Sequence, residues 1–219
     1  MTSNHNCNEK PHSETNNILT WFKKLYEIVP GLPVKDSPRN NKLRSDILLR
    51  LAGQLLTDDE RAELYGLPKG CRIREGAKII SPENLTIGEY CWIGENAILD
   101  ASGGLQIGSH CSIGLSVFIW SHSSHLTNLS MSNESGSKLI QQKPTKIGSG
   151  CFIAGPSVIF AGVTIGDKVL VRPFSTIDTD VPSRAIVDSK GIQENVFTEE
   201  RIGRLVRKQL GNGIVSTVK

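Results

Sequence analysis

Aliphatic residues recur at every sixth position through the centre of the chain. The clearest run consists of Ile147, Ile153, Ile159, Ile165, Val171 and Ile177. This spacing matches neither an amphipathic helix nor an alternating β-strand. It is the period of a β-solenoid, in which three six-residue sides form one triangular coil and stacked coils bury a column of aliphatic side chains. The pattern therefore predicts a mainly β protein with a parallel β-helix at its centre.

The repeat begins near Ile73 and slips by two residues at Ile87 and again at Ile107. Each slip requires a bulged corner, and Gly103 and Gly104 provide the backbone freedom for one of them. We expect about five coils, which form a β-helix domain over residues 69–188.

The period fails once within the solenoid, over residues 122–146. This segment is polar, so it is predicted to leave the solenoid as a loop. Insertions in solenoids leave through a corner and form loops on one side, which is often the functional one. The loop is therefore the first place to look for a site.

The residues before the solenoid are predicted to be partly helical. Residues 1–15 are polar and are expected to form a disordered tail. A helical region is predicted over residues 16–68, and an apolar stripe over residues 18–29 marks its first helix. That helix would suit packing on the solenoid or on a neighbouring subunit, and its tryptophan and lysines would also suit a membrane surface.

Two further helices are predicted before the repeat, and one after it. The apolar stripe of the second helix consists of Leu43, Ile47, Leu51 and Leu55. Thr57 and Glu60 form a capping box for a short third helix. In the C-terminal segment, residues 189–219, Thr198 is a suitable N-cap for a helix over residues 198–210.

The composition agrees with this architecture and narrows the function classes. The 219 residues include 21 glycines but only 6 Phe, 3 Trp and 3 Tyr, as aliphatic rungs and tight corners require. The net charge of +3 is spread without a basic run, which gives little reason to expect nucleic-acid binding. No apolar stretch approaches the roughly 20 residues that span a bilayer, and the polar start lacks a signal-peptide apolar region. A cytoplasmic location is the default expectation.

Three of the five cysteines recur at the same position of successive repeats. Cys91, Cys111 and Cys151 each lie four residues after an isoleucine that opens a coil, so their thiols should stack as a ladder. A ladder of thiols suits either a metal or redox site or a row of small corner fillers. We favour fillers, because no histidine or carboxylate joins the thiols and neighbouring rungs are poorly placed for disulfides.

Three segments of the chain resemble a known family. The sequences ENLTIGEYCWIGENAILD, LQIGSHCSIG and AGVTIGDKVLV look like the hexapeptide acyltransferases. The resemblance covers about residues 70–187 and implies that the β-helix is left-handed. Within the family, the chain is most similar to the O-acetyltransferases that modify galactosides, maltose, lipo-oligosaccharides and surface polysaccharides.

The resemblance implies a histidine that takes the proton from the acceptor hydroxyl. Histidine suits this role because its unperturbed pKa is about 6.5 and one ring nitrogen can be oriented while the other accepts a proton. His122 and His125 lie at the start of the loop, after Ile119 and Trp120. The usual family spacing would fall at Ser124, between them. We prefer His125, and His122 remains the alternative, as does a role for both as loop or interface residues.

A zinc site is the rival use of histidines in this fold. The γ-class carbonic anhydrases share the β-helix and bind zinc through three histidines. His110, His122 and His125 do not follow the ligand spacing of that family, and His110 is predicted to be an exposed corner residue. We therefore expect no metal.

The resemblance also implies binding residues for both substrates. Asn96 aligns with an asparagine that holds the sugar, Asp100 lies near the position of an acceptor carboxylate, and Trp120 would line the acceptor site or pack between subunits. Small residues would let the pantetheine arm of acetyl-CoA approach the backbone, and cations would meet its phosphates. These donor-side candidates are Ala154, Gly155, Ala161, Gly162, Lys168, Arg172 and Lys190. Residues 187–191 depart from the Gly-Gly-Asn-Pro-Ala-like turn that the family has at this point. The contacts that the family makes to the adenine end of CoA therefore do not carry over to this chain.

These features predict an acetyl-CoA-dependent O-acetyltransferase that acts on a saccharide hydroxyl, in surface-polysaccharide or oligosaccharide modification. Two alternatives remain open: N-acetylation of an amino sugar, and a non-catalytic β-helix scaffold. The family builds its sites between the prisms of a trimer, so a homotrimer is expected.

Overall fold

The computed structural model describes residues 35–131 and 138–210. The predicted tail 1–15 and the predicted helix 18–29 lie outside these residues. The chain divides into two compact units, Met1–Ala52 and Gly53–Lys219. The described secondary structure of the first unit is the helix α1 (Pro38–Gly53) up to Ala52, and Gly53 already belongs to the second unit. The helix contains Leu43, Ile47 and Leu51 of the predicted stripe.

The second unit is a β-solenoid of about six turns, close to the five predicted from the sequence. Its first face contains β1 (Arg72–Ile73), β4 (Trp92–Ile93), β7 (Ser112–Ile113), β12 (Phe152–Ile153), β15 (Leu170–Val171), β17 (Ile186–Asp188) and the antiparallel β18 (Gly191–Gln193). Its second face contains β2 (Lys78–Ile80), β5 (Ile98–Asp100), β8 (Val117–Ile119), β13 (Ser157–Ile159) and β16 (Thr176–Ile177). Its third face contains β3 (Leu85–Ile87), β6 (Leu105–Ile107), β11 (Thr145–Ile147) and β14 (Thr164–Ile165). The left-handed sense of the coil stays a prediction.

The parallel register reproduces the predicted slips. Ile87 pairs with Ile107, and Ile107 pairs with Ile147, so the residues that follow each slip stack on the third face. The extra residues are accommodated in the second corner, where the chain turns from the second face to the third. Among the described residues, this corner is formed by 81–84, 101–104, 120–131 with 138–144, and 160–163 in successive coils.

Each coil contributes one aliphatic side chain per face to a continuous core. Ile113, Ile119 and Ile153 are fully buried, as are most inward residues of the other coils. Burial of this column is the main source of stability, because apolar burial stabilises by about 25 cal/mol per Å².

Four buried cysteines extend the predicted ladder of three by Cys71. Each thiol donates to the carbonyl of a glycine in the following coil, for example Cys91 to Gly108 at 3.1 Å and Cys111 to Gly148 at 3.0 Å. Burial raises the pKa of the Cys71 thiol, and a hydrogen bond with Cys151 raises the pKa of Cys111 to about 11. The cysteines therefore fill the third corner, between the third face and the next coil.

Helices flank the solenoid within the second unit. Helix α2 (Asp58–Leu64) begins at the predicted capping box, in which Glu60 Oε2 accepts from Thr57 N at 2.8 Å. The Arg61 side chain, 5% exposed, donates to the carbonyls of Gly53 and Leu56 and to that of Ile73 in the first coil. The C-terminal helix α4 (Glu199–Leu210) follows Thr198, as predicted.

The inward and outward positions of one strand should differ sharply in their contribution to stability. Ile153 is fully buried, whereas its neighbour Phe152 is 51% exposed. Ile153→Ala should lower the free energy of unfolding by about 2–5 kcal/mol, because it leaves a cavity in the aliphatic column. Urea unfolding followed by circular dichroism would measure this loss. Phe152→Ala is the matched control, and an equal loss in both variants would contradict the assigned core.

Candidate active site

The long insertion leaves the solenoid at the second corner. Its two ends pair as antiparallel strands, β9 (His122–Ser123) and β10 (Gln141–Gln142), so the loop starts and finishes as a hairpin. A short helix, α3 (His125–Leu129), follows β9. This arrangement holds the start of the loop close to the solenoid.

His122 lies directly above the corner of the preceding coil. Its Nδ1 atom is 2.6 Å from Asp100 Oδ2 and 2.8 Å from Ser102 Oγ. The register explains this position, because Leu99 pairs with Ile119 and the residues that follow each of them therefore meet at the corner. Among residues 35–131 and 138–210, no hydrogen bond engages Nε2 of this imidazole.

Asp100 is fully buried and accepts hydrogen bonds on both carboxylate oxygens. Oδ1 accepts from the backbone and hydroxyl of Ser102 at 3.1 and 2.6 Å. Oδ2 accepts from the backbone and hydroxyl of Ser121 at 3.1 and 3.4 Å, and from His122. Burial by itself would raise the pKa of Asp100, but the hydrogen bonds from Ser102, Ser121 and His122 outweigh it and hold this pKa below its usual value. The carboxylate is therefore ionised at neutral pH.

A cleft of about 540 Å³ lies in front of His122. Its lining residues are Trp120, His122, Ser123, Ser124, His125, Asn128, Lys143, Phe160 and Ala161. The volume falls within the range of roughly 300–1,000 Å³ that is typical of small-molecule sites. Since Asp100 uses Nδ1, Nε2 is the ring nitrogen of His122 that is available to the cleft.

His125 also lines the cleft, but its environment differs. Its Nδ1 atom is 2.6 Å from Ser123 Oγ, and this pair is exposed. A serine hydroxyl carries no charge, so it cannot stabilise an imidazolium as a carboxylate does. The contacts of the two histidines thus distinguish them, whereas their spacing in the sequence did not.

The other acceptor-side predictions separate in the structure. Trp120 lines the cleft, as expected of an acceptor wall. Asp100 is buried behind His122, so within this chain it orients the imidazole and does not reach the cleft surface. Asn96 is an exposed residue with φ of 57° at the corner between the first and second faces, and it does not line this cleft.

The donor-side predictions fall in three places. Ala161 lines the cleft, and Gly162 lies beside the Lys143 side chain at its edge. Ala154 and Gly155 lie at the corner between the first and second faces, where Gly155 packs against the Leu115 carbonyl. Arg172 is exposed at the same corner in the next coil, and Lys190 lies in the turn between β17 and β18.

Lys168 has a partner that the sequence did not suggest. Its ammonium forms an ion pair with Glu199 at the start of α4, and Arg184 lies 3.4 Å from the same carboxylate. The hydrogen bond from Lys168 holds the pKa of Glu199 below its usual value. A phosphate could bind Lys168 only in competition with this carboxylate.

Ser102, Ser121 and Lys143 belong to the site but were missed by the sequence analysis. The register offered a signal for the two serines, because residues 101–104 and 121 occupy the same corner in consecutive coils. Lys143 is at the far end of the insertion, and only the closed hairpin brings it to the cleft.

Two kinds of feature are not found in the part of the chain that the structure describes. No group of three or more histidine, cysteine, aspartate or glutamate side chains could hold a metal ion there. Over the same residues, no helix is both long and apolar enough to cross a bilayer.

Known sequences include relatives of this chain. It is 32% identical over 141 residues to a protein described as "putative colanic acid biosynthesis acetyltransferase WcaF" from Escherichia coli strain K12. The match covers 62% of this chain and 74% of the relative. A protein of the same description from Shigella flexneri matches to the same extent. No protein-family model matches the chain.

Solved structures share the solenoid. A hexapeptide-repeat-containing acetyltransferase from Vibrio cholerae, complexed with acetyl coenzyme A, is 25% identical with a TM-score of 0.53. That comparison covers 78% of this chain and 95% of the other. A maltose O-acetyltransferase from Clostridium difficile 630 is 18% identical with a TM-score of 0.55. This comparison covers 68% of this chain and 82% of the maltose O-acetyltransferase chain. The second likeness concerns the fold alone.

Proposed function

Because this chain belongs to the hexapeptide-repeat acetyltransferases, we propose that it transfers the acetyl group of acetyl-CoA to a saccharide hydroxyl, with His122 as general base. The relative named for colanic acid biosynthesis supports a role in modifying a surface polysaccharide or its precursors. The V. cholerae structure, complexed with acetyl coenzyme A, supports the choice of donor.

One observation carries the assignment of the base. A fully buried carboxylate lies 2.6 Å from Nδ1 of His122, at the back of the cleft. Asp100 requires a proton on Nδ1, since two lone pairs at that distance would repel each other. The Nε2 lone pair then remains available for a substrate proton. We therefore propose His122 in place of His125, which the sequence analysis preferred.

The chemistry requires one proton relay. His122 Nε2 removes the proton of the acceptor hydroxyl as its oxygen attacks the thioester carbonyl carbon. The Asp100 carboxylate stabilises the imidazolium that forms. Collapse of the tetrahedral intermediate breaks the carbon–sulfur bond, and Nε2–H returns the proton to the CoA sulfur. The products are the acetylated saccharide and free CoA thiol, so atoms and charge balance.

The cleft also suggests how the substrates are arranged. Trp120 and Phe160 provide flat apolar surfaces of the kind on which sugar rings pack, and Ala161 and Gly162 allow the pantetheine arm to pass close to the backbone. Arg172 and Lys190 stay proposed partners of the CoA phosphates, and Lys168 is a weaker one because of Glu199.

Assembly and location complete the proposal. Exposed aromatic side chains at Phe152, Phe160 and Phe174 would be covered in a homotrimer, which remains a prediction from the family resemblance. The cytoplasmic location also remains a prediction.

A coupled assay of CoA thiol release over an acceptor panel tests the proposed function. We expect turnover with galactosides, maltose or polysaccharide repeat units, and much slower turnover with amino sugars blocked at every hydroxyl. Acetylation restricted to amino groups would replace this proposal with the N-acetyltransferase alternative. Mass spectrometry of the product would identify the acetylated atom.

Acetyl-CoA should stabilise the protein against heat. At a concentration 100 times its dissociation constant, a ligand that binds only the folded state adds about 2.7 kcal/mol of stability. Differential scanning fluorimetry with acetyl-CoA would show a rise in Tm, and ATP at equal concentration is the control for phosphate binding. If saturating acetyl-CoA leaves Tm unchanged, the scaffold alternative becomes the better account.

A further inference from the structure

Ser102 bridges the two members of the proposed catalytic pair. Its hydroxyl is 2.6 Å from Asp100 Oδ1 and 2.8 Å from His122 Nδ1. Its backbone N–H also donates to Asp100 Oδ1 at 3.1 Å. One side chain thus contacts both the carboxylate and the imidazole.

The donors and acceptors of this group allow only one arrangement of protons. An ionised carboxylate accepts hydrogen bonds only, so the single hydroxyl proton of Ser102 points to Asp100 Oδ1. The Ser102 oxygen can then only accept from Nδ1–H of His122. That proton lies between two acceptors, Asp100 Oδ2 at 2.6 Å and Ser102 Oγ at 2.8 Å.

Two acceptors constrain the ring more than one does. With Asp100 alone, the imidazole could pivot about the Nδ1–Oδ2 line and move Nε2 across the cleft. With Ser102 as second acceptor, the ring plane is defined as well, and the tautomer with a proton on Nε2 loses two hydrogen bonds instead of one.

The backbone around Ser102 is itself held against the next coil. Gly103 N donates to Ser121 Oγ at 2.8 Å, and a Cβ atom at position 103 would lie 1.8 Å from the Ser121 carbonyl oxygen. Gly104 follows with φ of +98°, a conformation that favours glycine. Ser102 is therefore presented to His122 by a corner with little freedom to move.

We propose that Ser102 is a positioning residue, whose hydroxyl fixes the ring plane of His122 while Asp100 holds the proton on Nδ1, so that the Nε2 lone pair is aimed into the cleft. The proposal rests on the proposed function, because it assumes that Nε2 accepts the substrate proton. It concerns the resting enzyme, so the ring can also be observed without substrate.

The test combines kinetics with nitrogen NMR of the His122 ring in the full-length protein. Ser102→Ala should lower kcat about 10- to 100-fold, as expected for loss of a hydrogen bond to charged groups, with little change in the KM for acetyl-CoA. Its His122 ring should keep the Nδ1–H tautomer, which Asp100 requires, but its ring nitrogen signals should broaden as the ring plane moves, whereas the wild-type signals should be sharp. Ser102→Thr keeps the hydroxyl and should restore most of kcat and the sharp signals.

Two further variants keep the test decisive. Ser102→Gly also removes the hydroxyl, in a corner already rich in glycine, and should reproduce the alanine result if alanine does not fold. Ser109→Ala is the control, because Ser109 accepts from the Glu89 backbone at the third corner, far from the cleft. It should keep the wild-type kcat.

Wild-type kcat in a hydroxyl-free Ser102 variant, or sharp His122 ring nitrogen signals there, would overturn the proposal. Such a result leaves the proposed function standing if His122→Asn is inactive in the same assay. Conversely, full activity of His122→Asn would show that His122 is not the general base, and the proposal for Ser102 would then lose its premise.

Discussion

Replacement of His122 by asparagine is expected to lower kcat by a factor of about 10² to 10⁴, the usual contribution of a general base. Asparagine can keep a polar contact with Asp100 but has no atom that accepts a proton near neutral pH. The thiol-release assay would measure the loss. The acetyl-CoA thermal shift should persist, because the variant removes proton transfer and leaves the small residues of the donor side in place.

His125→Asn is the matched comparison, since both histidines line the same cleft. We expect a fall of less than about tenfold, because the partner of His125 among the described residues is the uncharged Ser123 hydroxyl. Loss of turnover in His125→Asn, with substantial turnover left in His122→Asn, would restore the preference for His125 stated in the sequence analysis.

Asp100→Asn should produce the second large effect. An amide offers one acceptor oxygen where the carboxylate has two, so its NH₂ group must face either the Ser102 donors or the Ser121 and His122 donors. If it faces His122, the ring must accept on Nδ1 and carry its proton on Nε2, which is the wrong tautomer for a base. We expect kcat to fall by about 10² to 10⁴.

The same variant should be less stable, by about 1–3 kcal/mol, because buried donors lose their partner. The stabilisation has a defined pH dependence. The pKa of Asp100 is lowered in the folded protein, so its contribution is fully present well above the unfolded-chain value of about 3.9 and is lost as pH falls through the folded value. The difference between wild type and Asp100→Asn in urea unfolding should therefore be largest near neutral pH and shrink in acid.

Asp167→Asn is the control for both effects. Asp167 is an exposed carboxylate at the third corner, and it accepts a hydrogen bond from the Ser149 backbone at 2.7 Å. It should retain turnover and lose little stability. If Asp100→Asn behaved like this control in both assays, the buried carboxylate would have no role in orienting His122.

The solenoid could be predicted in some detail because its core obeys a period. The inward residue that recurs at every sixth position is aliphatic and must lie above its equivalent in the coil below, so spacing identifies Ile113 and Ile153 as neighbours in space although 40 positions separate them. The slips at Ile87 and Ile107 were visible for the same reason. The period also identified its own interruption, and with it both histidines at the start of the insertion.

The contacts within the site were harder to predict from the sequence. Asp100 was recognised as a polar residue in the coil before His122, and was interpreted as an acceptor ligand. Its burial could not be inferred, because an outward position on a strand is usually exposed and becomes buried here only when Ser121 and His122 cover it. Lys168 was interpreted as a phosphate ligand, since nothing in the local sequence shows that Glu199 returns to it from 31 positions away.

The spacing of aliphatic residues thus established the β-solenoid and the place of its insertion, and three sequence segments within it carried the resemblance to acetyltransferases. It could do so because burial of one side chain per face imposes the same requirement on every coil. The corners obey no such requirement: their side chains turn inward or outward according to what the next coil places above them. Only the tertiary structure therefore decided that Asp100 and Ser102 meet His122, and that His125 is hydrogen-bonded to the neutral hydroxyl of Ser123.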